Sequence, residues 1–299
     1  MSEITPVQER SMLERIFISP DAPRLRVGWR LLIQTILFFL FGTILVIVAI
    51  SLGLEISGSR VWERIIDFIA ITGSIYVARR WVDKKSFESL GLTLDQLTLI
   101  DVLAGIGIAF LQMGLIYLGM LSLNWLTFEG FAWEFDPINV MISGVLTFLV
   151  GFIFVGWSEE LLSRGYHLQT IASGTNLFWG VIISSAIFAV LHLANPNSTW
   201  VSTAGLFLAG IFFAYAYLRT KQLWLPIGLH IGWNFCEGVV FGFPVSGLDV
   251  YALTRIEVTG PEIWTGGAFG PEAGLIVLPA LVIGAVLIYL YTMNRNANV

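Results

Sequence analysis

Apolar residues fall in eight long runs, at about 31–54, 62–79, 100–123, 138–162, 177–193, 200–218, 224–243 and 273–293, with short polar connections between them. About 20 apolar residues are what a helix needs to cross the hydrocarbon of a bilayer. No run alternates apolar and polar positions as a barrel strand does, so helices are the predicted spanning form. The fold class read from this pattern is all-α: a polytopic membrane helix bundle of about eight transmembrane helices. The second run is the weakest, because Glu63, Arg64 and Asp67 interrupt it. Residues 1–30 read as a cytoplasmic N-terminal tail and 31–299 as a single transmembrane domain, with its chemistry concentrated in about 138–240. Within the tail, 7–18 is either a short amphipathic surface helix or solvated chain.

Charge orients the bundle. With the N-terminus inside, all but Arg60, Arg64 and Arg255 of the 16 basic residues fall on the inner side. The positive-inside rule then puts both termini in the cytoplasm of a multi-pass integral membrane protein, in the plasma membrane if the cell is prokaryotic. The outer connections are acidic instead, with Glu129, Glu134 and Asp136, then Asp249, Glu257, Glu262 and Glu272. The longest of them, about 244–272, is rich in Gly and Pro and reads as a cap. Of the residues, 56% are hydrophobic and 12% charged, against roughly 25% charged in soluble domains, so the deficit is taken up by lipid-facing surface. A net charge of −5 leaves no basic stripe for phosphates, so nucleic acid is not an expected partner. The single cysteine, Cys236, excludes an internal disulfide and reads as a small buried hydrophobe.

Three polar constellations break the apolar spans. In the fourth, Glu159 and Glu160 are followed by Arg164. Glu160 and Arg164 stand at i, i+4 and share a face, whereas Glu159 is turned about 100° away. That spacing neutralises Glu160 against Arg164 and leaves Glu159 free for the bundle interior. In the fifth span Phe188 stands beside His192 at i, i+4, and in the seventh His230 beside Asn234. Counted from a turn near Ser173-Gly174-Thr175, Glu159 and His192 lie at about the same height in an antiparallel hairpin. A Glu, two His and an Asn are the parts needed to hold a metal, activate a water and stabilise an oxyanion. The third histidine, His167, reads as a surface or turn residue. Glu237, seven residues past His230, is a candidate for the same cavity.

This ordered set, Glu159-Glu160…Arg164, Phe188…His192 and His230…Asn234, resembles the three motifs of the CPBP intramembrane proteases. That group includes the type II CAAX prenyl endopeptidases and the bacteriocin-processing or immunity (Abi-type) proteins. The stretch RRWVDKKSFESLGL at 79–92 is similar to a basic loop found before that core, and the resemblance covers about residues 75–240. It implies hydrolysis of a peptide bond in a membrane-anchored or lipidated peptide or protein substrate, at a cavity open to the cytoplasm. Glu159 would be the general base on a water. Glu160, His192, His230 and Asn234 would complete the catalytic set, with Arg164 and Phe188 as support. Zinc or another divalent metal held by Glu159, His192 and His230 is compatible with the resemblance, as is water activation without one. Two further readings stand beside it: a non-catalytic membrane immunity or scaffold protein of the same fold, and an ion-coupled transporter using the buried acids and histidines as a relay.

Overall fold

Uninterrupted apolar stretches fold as helices because lipid offers no partner for a free backbone N–H or C=O. A computed structural model describes residues 11–20, 22–54 and 60–295. After α1 (Met12–Phe17) come α2 (Val27–Ser51), α3 (Arg60–Val77) and α4 (Thr98–Ser122). Strand β1 (Leu126–Phe131) and the short α5 (Ala132–Phe135) precede α6 (Ile138–Glu160). A π-helical segment, Leu161–Leu168, continues α6 into α7 (Gln169–Ala172). Then follow α8 (Leu177–Leu191), α9 (Trp200–Thr220) and α10 (Trp224–Asn234), which runs on as a second π-helical segment, Phe235–Val240. Strand β2 (Thr254–Val258), α11 (Glu262–Thr265) and α12 (Val277–Thr292) complete the described residues.

The eight apolar runs of the sequence correspond to α2, α3, α4, α6, α8, α9, α10 and α12. Among the described residues, five helical stretches are both long and apolar enough to cross a membrane: Val27–Ser51, Thr98–Ser122, Ile138–Ala172, Leu177–Ala194 and Trp200–Thr220. Their outer faces carry exposed Leu, Ile, Val and Phe, such as Leu103, Leu118, Leu146 and Val190. Of the segment 7–18, residues 12–17 are helical, begun by a capping box between Ser11 and Glu14. Residues 1–10, and with them the first part of that segment, lie outside the described residues, as do 296–299, on which the placement of the two termini partly depends.

Helix α10 is the centre of the bundle, with nearly every residue buried. It reaches that position through close approach of backbone: a Cβ at Gly228 would collide with the carbonyl oxygen of Val102 on α4, and one at Gly105 with the backbone nitrogen of Leu229. Small residues at such crossings let helices pack where apolar attraction alone does not distinguish protein from lipid. Around this seam Met113, Phe212, Phe213, Leu229, Trp233 and Leu281 form one core. A second core of Ile75, Leu90, Leu161, Tyr166, Leu223 and Ile227 lies towards the connections 78–97, 173–176 and 221–223.

Those connections meet at one end of the bundle, which collects arginines. Arg30 Nε donates to Asp83 Oδ1 at 2.5 Å and its Nη1 to Ser173 Oγ at 2.9 Å. Arg79 reaches Asp83, Ser89 and Gln169, and Arg295 pairs with Asp101 at 2.6 Å. At the other end, β1 and β2 pair antiparallel, Leu126 opposite Val258, with a bulge between Phe128 and Gly130. Asp136 accepts there from Tyr251 and Arg255. The Tyr251 hydroxyl and the Arg255 guanidinium hold the Asp136 carboxyl below the usual carboxylate range. The 244–272 stretch is an ordered cap of turns, a strand and short helices at this end, tied to the bundle by backbone bonds such as Leu253 N–H to Val239 O.

Candidate active site

Glu159 and Glu160 close α6 where the helix widens into its π segment, a form that recurs at functional sites. The two acids divide as the spacing predicts. The Glu160 side chain is 0% exposed and that of Glu159 is 26% exposed, so one acid belongs to the core and the other to a cavity. Arg164 Nη1 stands 3.1 Å from Glu160 Oε1. The guanidinium lies over the rings of Phe188 and Phe213, 4.6 and 5.0 Å from their centroids, and donates to the Gly210 carbonyl. Phe188 therefore supports the arginine as well as the histidine one turn on. Glu160 has a second partner that spacing did not indicate: its Oε1 is 2.8 Å from His230 Nδ1.

His192 caps the C-terminal end of α8, and its Nδ1 lies 2.8 Å from the Phe188 carbonyl oxygen. A carbonyl only accepts, so Nδ1 carries the proton and Nε2 is left with its lone pair in the neutral ring. The same logic holds for His230, whose Nδ1 faces a carboxylate and whose ring stacks on Phe213 at 5.0 Å and 11°. Both Nε2 atoms point towards Glu159: its Oε2 is 3.6 Å from that of His192 and 3.7 Å from that of His230. Glu159 Oε2 is buried and has no hydrogen-bond partner among the described residues. Three acceptors thus converge with no donor between them, and what sits among them has to bring protons or positive charge.

A cavity of about 50 Å³ lies at this point, lined by Glu159, His192, His230 and Asn234, with Arg64, Asn195, Ser246 and Glu272. That volume holds a water molecule or a few. A larger cavity of about 410 Å³ shares Glu159, His192, Phe188, Asn195 and Arg64. It runs between α2, α3, the continuation of α6, and α8, past Gln34, Asp67, Ser163 and His167, with Phe38, Phe39, Ile71 and Leu191 as apolar wall.

A tetrahedral zinc with bonds of about 2.0–2.1 Å sets its ligand atoms about 3.4 Å apart, close to the two Glu159–imidazole separations. Yet among the described residues no group of three His, Cys, Asp or Glu side chains closes to metal-holding geometry.

His167 is not a surface residue. It is 7% exposed, lies in the π segment, and its Nδ1 has no partner among the described residues. The polar letters of 163–176 suggested an exposed turn, but the π segment and α7 carry the helix on to Ala172, and packing against α8 buries this face. Glu237 does not line the cavity. It is fully buried near Gly270, with neither oxygen hydrogen-bonded among the described residues, because the π-helical turn at Phe235–Val240 changes the facing expected at i+7. Among the lining residues that the sequence reading did not single out are Arg64, Asp67, Asn195 and Glu272. Arg64 and Asp67 were visible as charges interrupting the second span. Asn195 stands three residues past His192, and Glu272 was counted only as one acid of an acidic loop.

Residues 141–236 match the model of a family described as type II CAAX prenyl endopeptidase Rce1-like. The chain is 27% identical over 174 residues to a Bacillus subtilis (strain 168) protein named "Putative membrane peptidase YdiL", covering 57% of this chain and 67% of that one. It is 29% identical over 162 residues to an Escherichia coli protein named "Uncharacterized 24.3 kDa protein", covering 52% of this chain and 68% of the other. The matched segment contains every residue of the three motifs, from Glu159 to Asn234. With its apolar helices, that match supports an integral membrane protein of membrane-peptidase type in general class, similar over residues 141–236 to the Rce1-like, type II CAAX prenyl endopeptidase family.

Proposed function

We propose that the chain is an endopeptidase that hydrolyses a peptide bond of a membrane-associated or lipidated substrate with a water activated by Glu159. The observation that carries this reading is the convergence of Glu159 Oε2 with the Nε2 atoms of His192 and His230, at 3.6 and 3.7 Å, on a small cavity. A water there donates to the carboxylate and to an imidazole. Glu159 takes a proton as the water oxygen attacks the peptide carbonyl, and the Asn234 amide donates to the oxyanion. The carbon–nitrogen bond then breaks, and the proton held by Glu159 passes to the leaving nitrogen. Glu160 and Arg164 act through His230, fixing its tautomer and ring plane. The apolar wall of the larger cavity suits an apolar or lipid-bearing segment beside the scissile bond. The arginine-rich end of the bundle faces the cytoplasm in this reading, following the excess of positive charge.

The test is cleavage of a membrane-anchored peptide library by protein reconstituted in liposomes, with new ends found by mass spectrometry. Wild type cuts, and Glu159→Gln and His192→Ala each lose about 10²- to 10⁴-fold while remaining folded. Full activity in both variants overturns the mechanism. Substrate flux without cleavage returns the protein to the transporter reading, and normal biological activity of Glu159→Gln returns it to the scaffold reading. Chelation followed by return of zinc, with the metal content measured, decides whether the activated water is free or metal-bound.

A further inference from the structure

One acid of the cavity has no part in this scheme. Glu272 belongs to the cap, outside the matched segment 141–236, and lines the same small cavity as Glu159, His192, His230 and Asn234. It is 6% exposed. Trp233 Nε1 donates to its Oε1 at 3.1 Å and Ser246 Oγ to its Oε2 at 2.5 Å. An ionised carboxylate has about four acceptor positions, so each oxygen keeps one unused.

Its placement is tightly built. A Cβ at Gly205 of α9 would collide with the Glu272 carbonyl oxygen. Gly270, two residues before it, has φ +107° and would meet the Pro244 carbonyl if it carried a side chain. Ser246 is fixed in turn by Asn195, whose Nδ2 donates to the Ser246 carbonyl at 3.0 Å. A latch between cap and bundle would need no charge, and burying a carboxylate costs several kcal/mol. The acid Glu237 lies close to the same Gly270 backbone.

Hydrolysis of an amide presents a group that matches this acid. The leaving nitrogen bears an N–H and gains positive charge as it takes a proton. Of the cavity's anionic acceptors, Glu159 is committed to the water, and Glu272 is the other one among the described residues. We infer that Glu272 is a further catalytic residue, accepting the N–H of the scissile amide and stabilising the leaving nitrogen as the carbon–nitrogen bond breaks. The proton still travels from water through Glu159 to nitrogen, and Glu272 gains and loses none.

This inference rests on the proposed peptidase reading, and the experiment separates the two. Two membrane-anchored substrates of one sequence are compared, one with the scissile amide and one with an ester in its place, which has no N–H. Glu272→Gln retains the latch, since Trp233 can still donate to the amide oxygen and the Ser246 hydroxyl can turn to accept. The expected result is an amide kcat lower by about 10- to 100-fold, the span of a hydrogen bond to a charged group, with ester cleavage and melting temperature unchanged. Glu159→Gln, in contrast, depresses both substrates. Equal loss on amide and ester, or no loss on either, overturns the assignment of Glu272 while leaving the peptidase reading intact. Wild type inert towards both substrates overturns the peptidase reading and this inference with it. If Glu272→Gln does not fold, Ser246→Ala keeps the charge but frees one oxygen, and its loss must again be confined to the amide.

Discussion

Two clusters of buried charge occupy this bundle, and they are built to opposite rules. At the arginine-rich end, Asp83 uses one oxygen for Arg30 and the other for Arg79, and the remaining guanidinium nitrogens reach Ser173, Ser89 and Gln169. None of the buried side-chain nitrogens and oxygens of Arg30, Arg79 and Asp83 is left without a partner. At the centre, Glu160 Oε1 meets both Arg164 and His230, but Glu160 Oε2, Arg164 Nη1 and Glu159 Oε2 are buried with no hydrogen-bond partner among the described residues. Buried polar groups are normally hydrogen-bonded, so an orphan calls for its own explanation. The first cluster joins α2 to the loop after α3 and the turn after α7. The second holds two imidazoles in fixed tautomers facing an acid that is open to a cavity. Charge in the lipid-embedded core is thus used in one place to lock the ends of helices and in the other to keep an acceptor unsatisfied.

The comparison breaks most readily at its most asymmetric residues. Glu159→Gln should lower cleavage about 10³-fold, or about 4 kcal/mol of transition-state stabilisation, with the melting temperature unchanged or raised. Asp83→Asn should do the reverse. Leaving Arg30 and Arg79 buried without their acid costs roughly 3–5 kcal/mol of stability, read as a lower melting temperature in detergent, while kcat per folded molecule is unchanged. If Asp83→Asn removes activity without loss of stability, the two clusters do not differ as described.

Apolar replacement sharpens the contrast. Changing Arg30, Arg79 and Asp83 together to Met, Met and Leu should recover most of the stability lost in Asp83→Asn, because apolar residues of similar volume commonly replace buried ion groups at little cost. The equivalent exchange at the centre, Glu160→Leu with Arg164→Met, should restore folding but leave cleavage at least 10-fold reduced. His230 then has no carboxylate to fix its Nδ1 proton, and partners of that kind are worth about 10- to 100-fold where they have been removed. Full activity in that double variant would show that Glu160 serves packing alone.

The smallest effect belongs to the capped end. The Tyr251 and Arg255 bonds depress the folded-state pKa of Asp136, so the stability they contribute is present above the unfolded carboxylate value of about 3.9 and is lost as pH falls through the depressed folded value. Asp136→Asn should flatten the melting temperature against pH below about 4 and lower it slightly at neutral pH, where the Asp136 bonds contribute in full. A melting temperature equal to wild type at neutral pH and still falling in acid as wild type does would mean that these bonds do not stabilise the folded chain.

Much of the architecture was legible because a bilayer imposes one strong rule on the chain. The eight apolar runs correspond to eight helices, since a stretch such as Val27–Ser51 has no other way to satisfy its backbone in lipid. The division between Glu159 and Glu160 was legible for a local reason: i, i+4 spacing is enough to pair Glu160 with Arg164. His167 and Glu237 were misplaced because both lie in π-helical segments, where an added residue per turn rotates every facing inferred from a 3.6 period. Glu272 was overlooked because the fold of its loop depends on distant partners, Trp233, Ser246 and the backbone beside Gly205.

The sequence alone determined the helical class and the apolar runs. It also supplied the three short-range pairs, Glu160 with Arg164, Phe188 with His192, and His230 with Asn234, all of which follow from composition and from spacing within one helix. Only the tertiary structure decided that Glu160 orients His230, that both imidazoles turn Nε2 towards Glu159, and that the cap brings a further carboxylate to the same cavity. Those contacts join residues 33 to 113 positions apart. Their geometry depends on how closely α10 packs against α4 and α6, and on where the π turns rotate the chain. Neither quantity is encoded in the periodicity of any single segment.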